Sequence, residues 1–421
     1  MPPMPMVSQV FVRGIYPCRT FRRGILIANY SPTRCCSSTN SSEFGRSWQR
    51  LRNSSVGRYV RSLEWTPLPL GIGFALLAVL QWRHIRKRAH EIHPGHVEDW
   101  EITCYRMLPL RVLSRAWGWA LDCPLPVWAR TPILSAYAST FGCNLSEASQ
   151  SDLCSYRSLA EFFTRSLKDG CRPIDAVQSL VSPADGKVLN FGRVDTCQVE
   201  QVKGVTYSLE TFLGPPVWKK VNPSSVGVNK DGSKLEEKAE ESKMPKSLLC
   251  KKDNFLYQCV IYLAPGDYHR FHSPVDWKVT FRRHFQGELL SVNPRIAKWI
   301  PNLFSLNERA VYVGTWEHGF FSFTAVGATN VGSIKIYCDK TLHTNEWKWK
   351  LNRSEDKFLE PSNGEGYFIK KGDPFGEFNL GSTVVLLFEA PPDFNFSIMP
   401  GQVVKVGEPL HCSCRSSEKS S

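Results

Sequence analysis

No two of the fourteen cysteines show the C-x-x-C spacing of a zinc site or a redox motif. Cys35-Cys36 and Cys412-x-Cys414 fall in tails and the others are scattered, which points to reduced, mostly buried thiols and to no bound metal. No nucleic-acid-binding motif is present either. The formal charge of +13 is unevenly placed: residues 1 to 65 carry ten arginines against Glu43 and Glu64, a net of +8, and +13 less +8 leaves only +5 for the rest. That remainder is too mild for a nucleic-acid footprint. Missing too are the G-x-S-x-G elbow of a serine hydrolase and the Met-Lys-Met site of a lipoyl or biotinyl module.

Acid is nearly absent from the first sixty residues, which are rich in Arg and Ser, the composition of a mitochondrial transit peptide. A secretory signal would need a long apolar core after the first arginines, and none follows. Between Trp65 and Trp82 no charged residue occurs, and Arg83, His84, Arg86, Lys87 and Arg88 come directly afterwards. Eighteen residues at ~1.5 Å rise reach roughly 27 Å, just short of the ~30 Å hydrocarbon core, so the stretch reads as a short membrane anchor with interfacial tryptophans. From Trp100 to Leu145, Arg106, Arg111, Arg115 and Arg130 alternate with Trp117, Trp119, Trp128 and many leucines, broken by Pro109, Pro124, Pro126 and Pro132. Such a pattern suits short amphipathic helices on a bilayer or on a soluble core. Residues 156 to 165 read as one helix with Leu159, Phe162 and Phe163 inward.

Beyond Pro173 the chain turns to short β-branched segments separated by Gly and Asp turns. The expected class is α+β: a targeting and membrane segment, then short amphipathic helices, then a mainly antiparallel β-sandwich or open barrel. The expected divisions are a targeting segment (1–60), an anchor with its flanks (61–90), a membrane-associated helical region (91–176), a β-rich catalytic region (177–381) and a C-terminal piece (382–421). Lys, Glu and Ser dominate 215–254, which reads as a mobile polar insertion. Residues 396–410 and the turn at Asp185-Gly-Lys-Val188 look like two halves of a lipoyl-type sandwich.

Gly381-Ser382 precedes Val384-Val-Leu-Leu-Phe388, a run expected to form a buried strand. The same half holds Asp185 in Ser-Pro-Ala-Asp-Gly-Lys, His269 and His272 in Asp267-Tyr-His-Arg-Phe-His-Ser-Pro274, Asn307-Glu-Arg309, and Val326-Gly-Ala-Thr-Asn-Val-Gly332. Asp, His and Ser are the types that activate a hydroxyl: His takes the proton while Asp fixes its tautomer. Each also has an ordinary role, since Asp-Gly is a common turn and a loop histidine often only satisfies backbone groups.

Taken together with Glu161-Phe-Phe-Thr-Arg165 and Leu380-Gly-Ser-Thr383, these motifs resemble the phosphatidylserine decarboxylases of the mitochondrial type, in the same order from about Tyr156 to Glu408. The resemblance implies a pyruvoyl-dependent enzyme made as a proenzyme that cuts itself between Gly381 and Ser382. Ser382 would be the nucleophile and become the pyruvoyl group, His272 its base and Asp185 the residue orienting that base. His269 would return a proton after carbon dioxide leaves phosphatidylserine, bound through a Schiff base, to give phosphatidylethanolamine. The two chains, the α chain starting at 382, would stay together as a non-covalent heterodimer on the mitochondrial inner membrane, facing the intermembrane space. Residues three apart on an extended strand point to opposite faces, so a turn or bulge is expected to bring His269 and His272 to one site. Lifting a two-chain lipid from a bilayer exposes roughly thirty methylenes at ~0.8 kcal/mol each, on the order of 24 kcal/mol, which favours chemistry at the membrane surface. A Ser-His-Asp lipid hydrolase and a non-catalytic membrane-anchored β module are the alternatives, and a hydrolase would remain one chain.

Overall fold

The run Val384–Phe388 lies at the centre of the largest sheet. A computed structural model describes residues 102, 105–106, 108–202, 204–219, 244–329, 333–346, 353–359, 366–379 and 381–412. The targeting segment, the anchor at 65–82 and residues 220–243 lie outside them. Among the described residues no helix is long and apolar enough to cross a membrane.

Two helices come first, α1 (Leu110–Asp122) and α2 (Val127–Phe141), then the short α3 (Leu159–Phe163). The helix expected over 156–165 is therefore only five residues long. It starts where Ser158 accepts from the Glu161 N–H, and Glu161 accepts in turn from the Arg157 N–H, a capping arrangement that fixes its first turn. Pro132 does not break α2 as expected. It lies near the helix start, opposite the carbonyl of exposed Trp128, where water can replace the missing bond.

The strands are β1 (Gly186–Arg193), β2 (Gln198–Val202), β3 (Val205–Ser208), β4 (Phe255–Leu263), β5 (Arg270–His272), β6 (Trp277–Phe285), β7 (Arg309–Trp316), β8 (Gly319–Val326), β9 (Ile334–Ile336), β10 (Ser354–Phe358), β11 (Tyr367–Ile369), β12 (Pro374–Phe378), β13 (Ser382–Ala390) and β14 (Val403–Val404). The class is α+β with antiparallel sheets. The main sheet runs β10-β6-β7-β8-β13-β4-β1-β14, with β11 also on β6, and a small sheet runs β5-β12-β9. Phe271 of β5 and Phe375 of β12 meet Phe323 of β8 with ring centroids 5.3 and 5.0 Å apart, so aromatic rings join the small sheet to the main one. Gly376 lies between β5 and β9, where a Cβ would strike the Lys335 carbonyl and the Phe271 ring.

All nine residues of β13 are buried. Its neighbours β4 and β8 pair with both edges, and because both of its faces are buried as well its apolar run is unbroken rather than alternating. The two sandwich-like stretches do pair: Gly186 lies opposite Val404 and Lys187 opposite Val403. The ends of the expected insertion 215–254 belong to the core. Trp218 packs on Phe281, and Met244, Pro245 and Leu248 are buried in a short helix. The nine described cysteines are all free, but only Cys197 and Cys259 are fully buried, fewer than expected.

Candidate active site

Two connections run side by side from the main sheet to the small one. Leu263, the last residue of β4, lies opposite Ser382, the first residue of β13. Beyond Leu263 the chain turns through Ala264–Asp267 into β5; before Ser382 it arrives from β12, which pairs with β5 at Glu377–Arg270. The Phe378 N–H donates to the His269 carbonyl at 3.0 Å, closing the pair of crossings. The histidine motif and the Gly381–Ser382 bond thus share one junction between sheets, although they are more than a hundred residues apart in sequence.

Ser382 is fully buried, and its Oγ has no hydrogen-bond partner among the described residues. A buried hydroxyl left unpaired costs about 1–3 kcal/mol, and the hydroxyls of Thr383, Ser322 and Thr324 on β13 and β8 share that state among the described residues. A Cβ built on Gly381 would meet no described atom within 4 Å. Neighbouring bulk therefore does not explain that glycine.

His269 is also fully buried, its ring 3.8 Å from that of Phe163. Its Nδ1–H donates to the Asp267 carbonyl at 2.8 Å, since a carbonyl can only accept, which leaves Nε2 deprotonated and without a partner. Burial pushes its pKa down to about 3, with the Asp267 carbonyl opposing. This ring is neutral, a bare base rather than a loaded proton donor. Asp267 closes the turn by accepting the Ala264 N–H at 2.7 Å, and burial raises its carboxyl pKa.

His272 is half-buried. Its Nδ1–H donates to the Gly372 carbonyl at 2.8 Å, and its Nε2 accepts from the Tyr268 hydroxyl at 3.2 Å. Burial lowers its pKa, while the Gly372 carbonyl and the charge of Asp185 act against that. The Ser182–Asp185 turn is held beside it, because the His272 N–H donates to the Pro183 carbonyl at 2.7 Å. The Asp185 side chain, however, does not hydrogen-bond to His272. Arg172 takes it, with Nε 2.9 Å from Oδ1 and Nη2 2.5 Å from Oδ2, and the Val406 N–H adds a third donor at 2.9 Å. A buried carboxylate this close to a guanidinium pairs with it first, because each charge would otherwise stand uncompensated.

Asp185 and His272 thus stand together without the expected direct bond, and neither histidine hydrogen-bonds to Ser382. The register shift of this pair falls in β12, between Pro374 and Gly376, rather than between the two histidines, and His269 lies before β5, in the connection from β4. Tyr268 and Asp267 lie inside the histidine motif, which gave them no separate role, and Arg172 and the Gly372 carbonyl carried no sequence sign at all.

At the far end of β13, buried Glu389 accepts from the backbone N–H groups of Cys250, Lys251 and Phe320 and from Asn254 Nδ2, at 2.7 to 3.0 Å. These bonds fasten the strand to the β7–β8 hairpin and to the segment leading into β4.

The phosphatidylserine decarboxylase family model matches residues 159–412, which cover α3, the small sheet and the whole main sheet. The chain belongs to the phosphatidylserine decarboxylase family. That family is one of decarboxylases, and the chain is an enzyme of that class. It is similar to a phosphatidylserine decarboxylase proenzyme, mitochondrial, of Pongo abelii, 51% identical over 367 residues that cover 86% of this chain and 87% of that one. The protein of the same name from Rattus norvegicus is 45% identical over 93% of this chain and 97% of its own length. Similarity to phosphatidylserine decarboxylase proenzyme 1, mitochondrial, of Saccharomyces cerevisiae is 39% over 74% of each chain.

Proposed function

We propose that the chain decarboxylates phosphatidylserine to phosphatidylethanolamine after cutting itself between Gly381 and Ser382. The observation that carries this reading is the unpartnered Ser382 hydroxyl, sealed at the junction where the histidine motif crosses beside it. In the cut, Ser382 Oγ attacks the Gly381 carbonyl, the peptide nitrogen takes a proton, and an ester replaces the amide. Loss of the Ser382 Cα proton to a base then eliminates the Gly381 carboxylate, and hydrolysis of the resulting imine releases the Ser382 nitrogen as ammonia and leaves a pyruvoyl group on the new N-terminus. His272 serves as the base, its lone pair lying on Nε2 because the Gly372 carbonyl holds the other nitrogen's proton, so Tyr268 must leave Nε2 first. Asp185 steadies the imidazolium through its charge.

The site suits a pyruvoyl group: it is buried, offers Ser382 Oγ no hydrogen-bond donor among the described residues, and lies at the junction that also carries the neutral His269 imidazole. Such a group supplies a carbonyl that takes up the substrate amine and accepts the electrons left when carbon dioxide departs. His269, with its bare Nε2, takes the proton that the substrate ammonium gives up before it condenses and returns it to the carbon, and its full burial keeps water away. Release of the cut piece is opposed by burial of Val384 to Phe388, at ~1.5 to 3 kcal/mol per large side chain.

The chain acts at a membrane surface. Trp128 and Trp119 are 78% and 62% exposed, beside exposed Val112, Leu113, Val127, Ile133 and Phe141 of α1 and α2. The apolar stretch 65–82 and the basic presequence, together with these exposed rings, support a position on the mitochondrial inner membrane, facing the intermembrane space. Survival of the C-terminal half under protease after outer-membrane rupture would reject that orientation.

Intact mass tests the central claim. Two pieces, the smaller beginning with a residue of pyruvoyl mass and absent from Ser382→Ala, are expected. A single uncut chain with full decarboxylase activity would overturn it.

A further inference from the structure

A cavity of about 290 Å3 opens between α1, α3 and the segments around Ser333, Asn345 and Asn379. Its inner wall is part of the candidate site. Phe163, which lines it, packs against the His269 ring with the two planes tilted by 45°, and Asn379 stands three residues before Ser382, tied to Ser333 by Nδ2–Oγ and N–O bonds of 2.9 and 3.0 Å. Its outer wall includes Trp119 on the exposed apolar side of α1. The volume is at the small end of the ~300–1,000 Å3 typical of ligand pockets, which suits a polar headgroup and leaves acyl chains outside.

The cation in this wall is Arg115, held by a relay of buried groups. Arg111 pairs with Glu308 at 2.8 Å, Glu308 accepts from the Asn345 N–H at 2.8 Å, and Arg115 Nε donates to the Asn345 carbonyl at 2.9 Å. His284 Nε2 also meets Glu308, at 3.0 Å. The guanidinium is thus oriented by its second neighbours, as anion-binding arginines require, and its planar fork matches phosphate oxygens. The wall's acid, Asp122, is exposed at the end of α1 and solvated.

Resting on the reading of the previous subsection, we propose that Arg115 binds the phosphodiester of the glycerophospholipid substrate in this cavity, with Ser333 and Asn379 as neutral hydrogen-bonding groups. The substrate's serine moiety then reaches inward past Phe163 toward His269 and Ser382, and its acyl chains remain in the bilayer beside Trp119. Arg115 is the residue that makes the site select a phospholipid over a neutral diacylglycerol.

The test separates binding from chemistry by using the full-length, uncut Ser382→Ala chain. Calorimetric titration with dihexanoyl phosphatidylserine below its micellar concentration is expected to show at least a tenfold higher Kd on adding Arg115→Gln, and partial recovery with Arg115→Lys. Weak binding of dihexanoylglycerol should not change. Equal lipid affinity in all three chains overturns the proposal, and so does inorganic phosphate binding as tightly as the lipid, which would make this a free-anion site. Should Arg115→Gln unfold, Arg115→Lys alone decides: in the cut enzyme it must raise KM for the lipid more than it lowers kcat. An inactive wild type that still binds the lipid through Arg115 would refute the decarboxylase reading and leave this one standing.

Discussion

Asp185 is gripped by Arg172 through two nitrogens, while His272, the partner expected of it, gives its Nδ1 proton to the Gly372 carbonyl. Arg172 also reaches Glu147 at 2.7 Å, so one guanidinium bridges two carboxylates, and Lys405 adds a second cation 3.3 Å from Glu147. Losing the arginine should therefore hurt more than losing either acid. In the Ser382→Ala background, Arg172→Gln is expected to lower stability by about 3 kcal/mol, because it strands buried charge. Asp185→Asn should cost only ~1–2 kcal/mol, since Glu147 still answers Arg172 and the asparagine oxygen can accept from Val406. Urea unfolding of both variants checks the order; equal losses would show that the pair is not what holds this corner.

His269 should make the folded chain sensitive to acid. Its imidazole titrates near 6.5 when unfolded and near 3 when folded, so the unfolded chain takes a proton that the folded one refuses. The stabilising contribution is complete above pH 6.5 and declines as pH falls toward 3. At pH 5 the loss is about 2 kcal/mol. His272 is shifted in the same direction, so the informative quantity is the difference between wild type and His269→Asn. Unfolding free energies at pH 7.5 and 5 should converge by that amount in the variant.

Ser382→Ala should give one uncut chain that is as stable as the uncut parent or up to ~1 kcal/mol more so, because it removes a buried hydroxyl without a partner. A clear loss of stability would mean that the hydroxyl is bonded after all. Thermal melting compared with a slowly processing parent, measured before cleavage, reads the difference.

Glu389→Ala should loosen the C-terminal piece. Four donors lose their acceptor at once, at a cost of about 3 kcal/mol or more, and Glu389→Gln should fall between the two. Size-exclusion chromatography of the cut protein in mild urea should show the piece from 382 onward leaving the variant first.

Parts of this fold were legible for physical reasons. A strand covered on both edges and faces needs an unbroken apolar run, so Val384–Phe388 announced itself, and the turn at Asp185-Gly with its partner at 403–404 followed from paired sandwich patterns. The site was legible as a set of motifs but not as a set of bonds. The partners that decide the state of Asp185 and His272 are an ordinary arginine thirteen residues upstream and a backbone carbonyl a hundred residues downstream. Neither leaves a mark in composition or spacing. The extent of α3 was misjudged because Phe162 and Phe163 are consistent with one turn of helix or three, and only the Ser158 cap shows where it begins.

Ser382 enters the main sheet between Leu263 and the end of β8, and that position ties chemistry to folding history. The two connections lie alongside each other because β4, β8 and β13 pair, so under the proposed scission a misfolded chain would lack the geometry for the cut and stay inert. If the proposed scission severs them, the forty residues from 382 to 421 would be too few to fold alone, and a pair that came apart would have no route back. On the proposed scission, ripening of this protein would be a single irreversible event, open only to chains that have already folded.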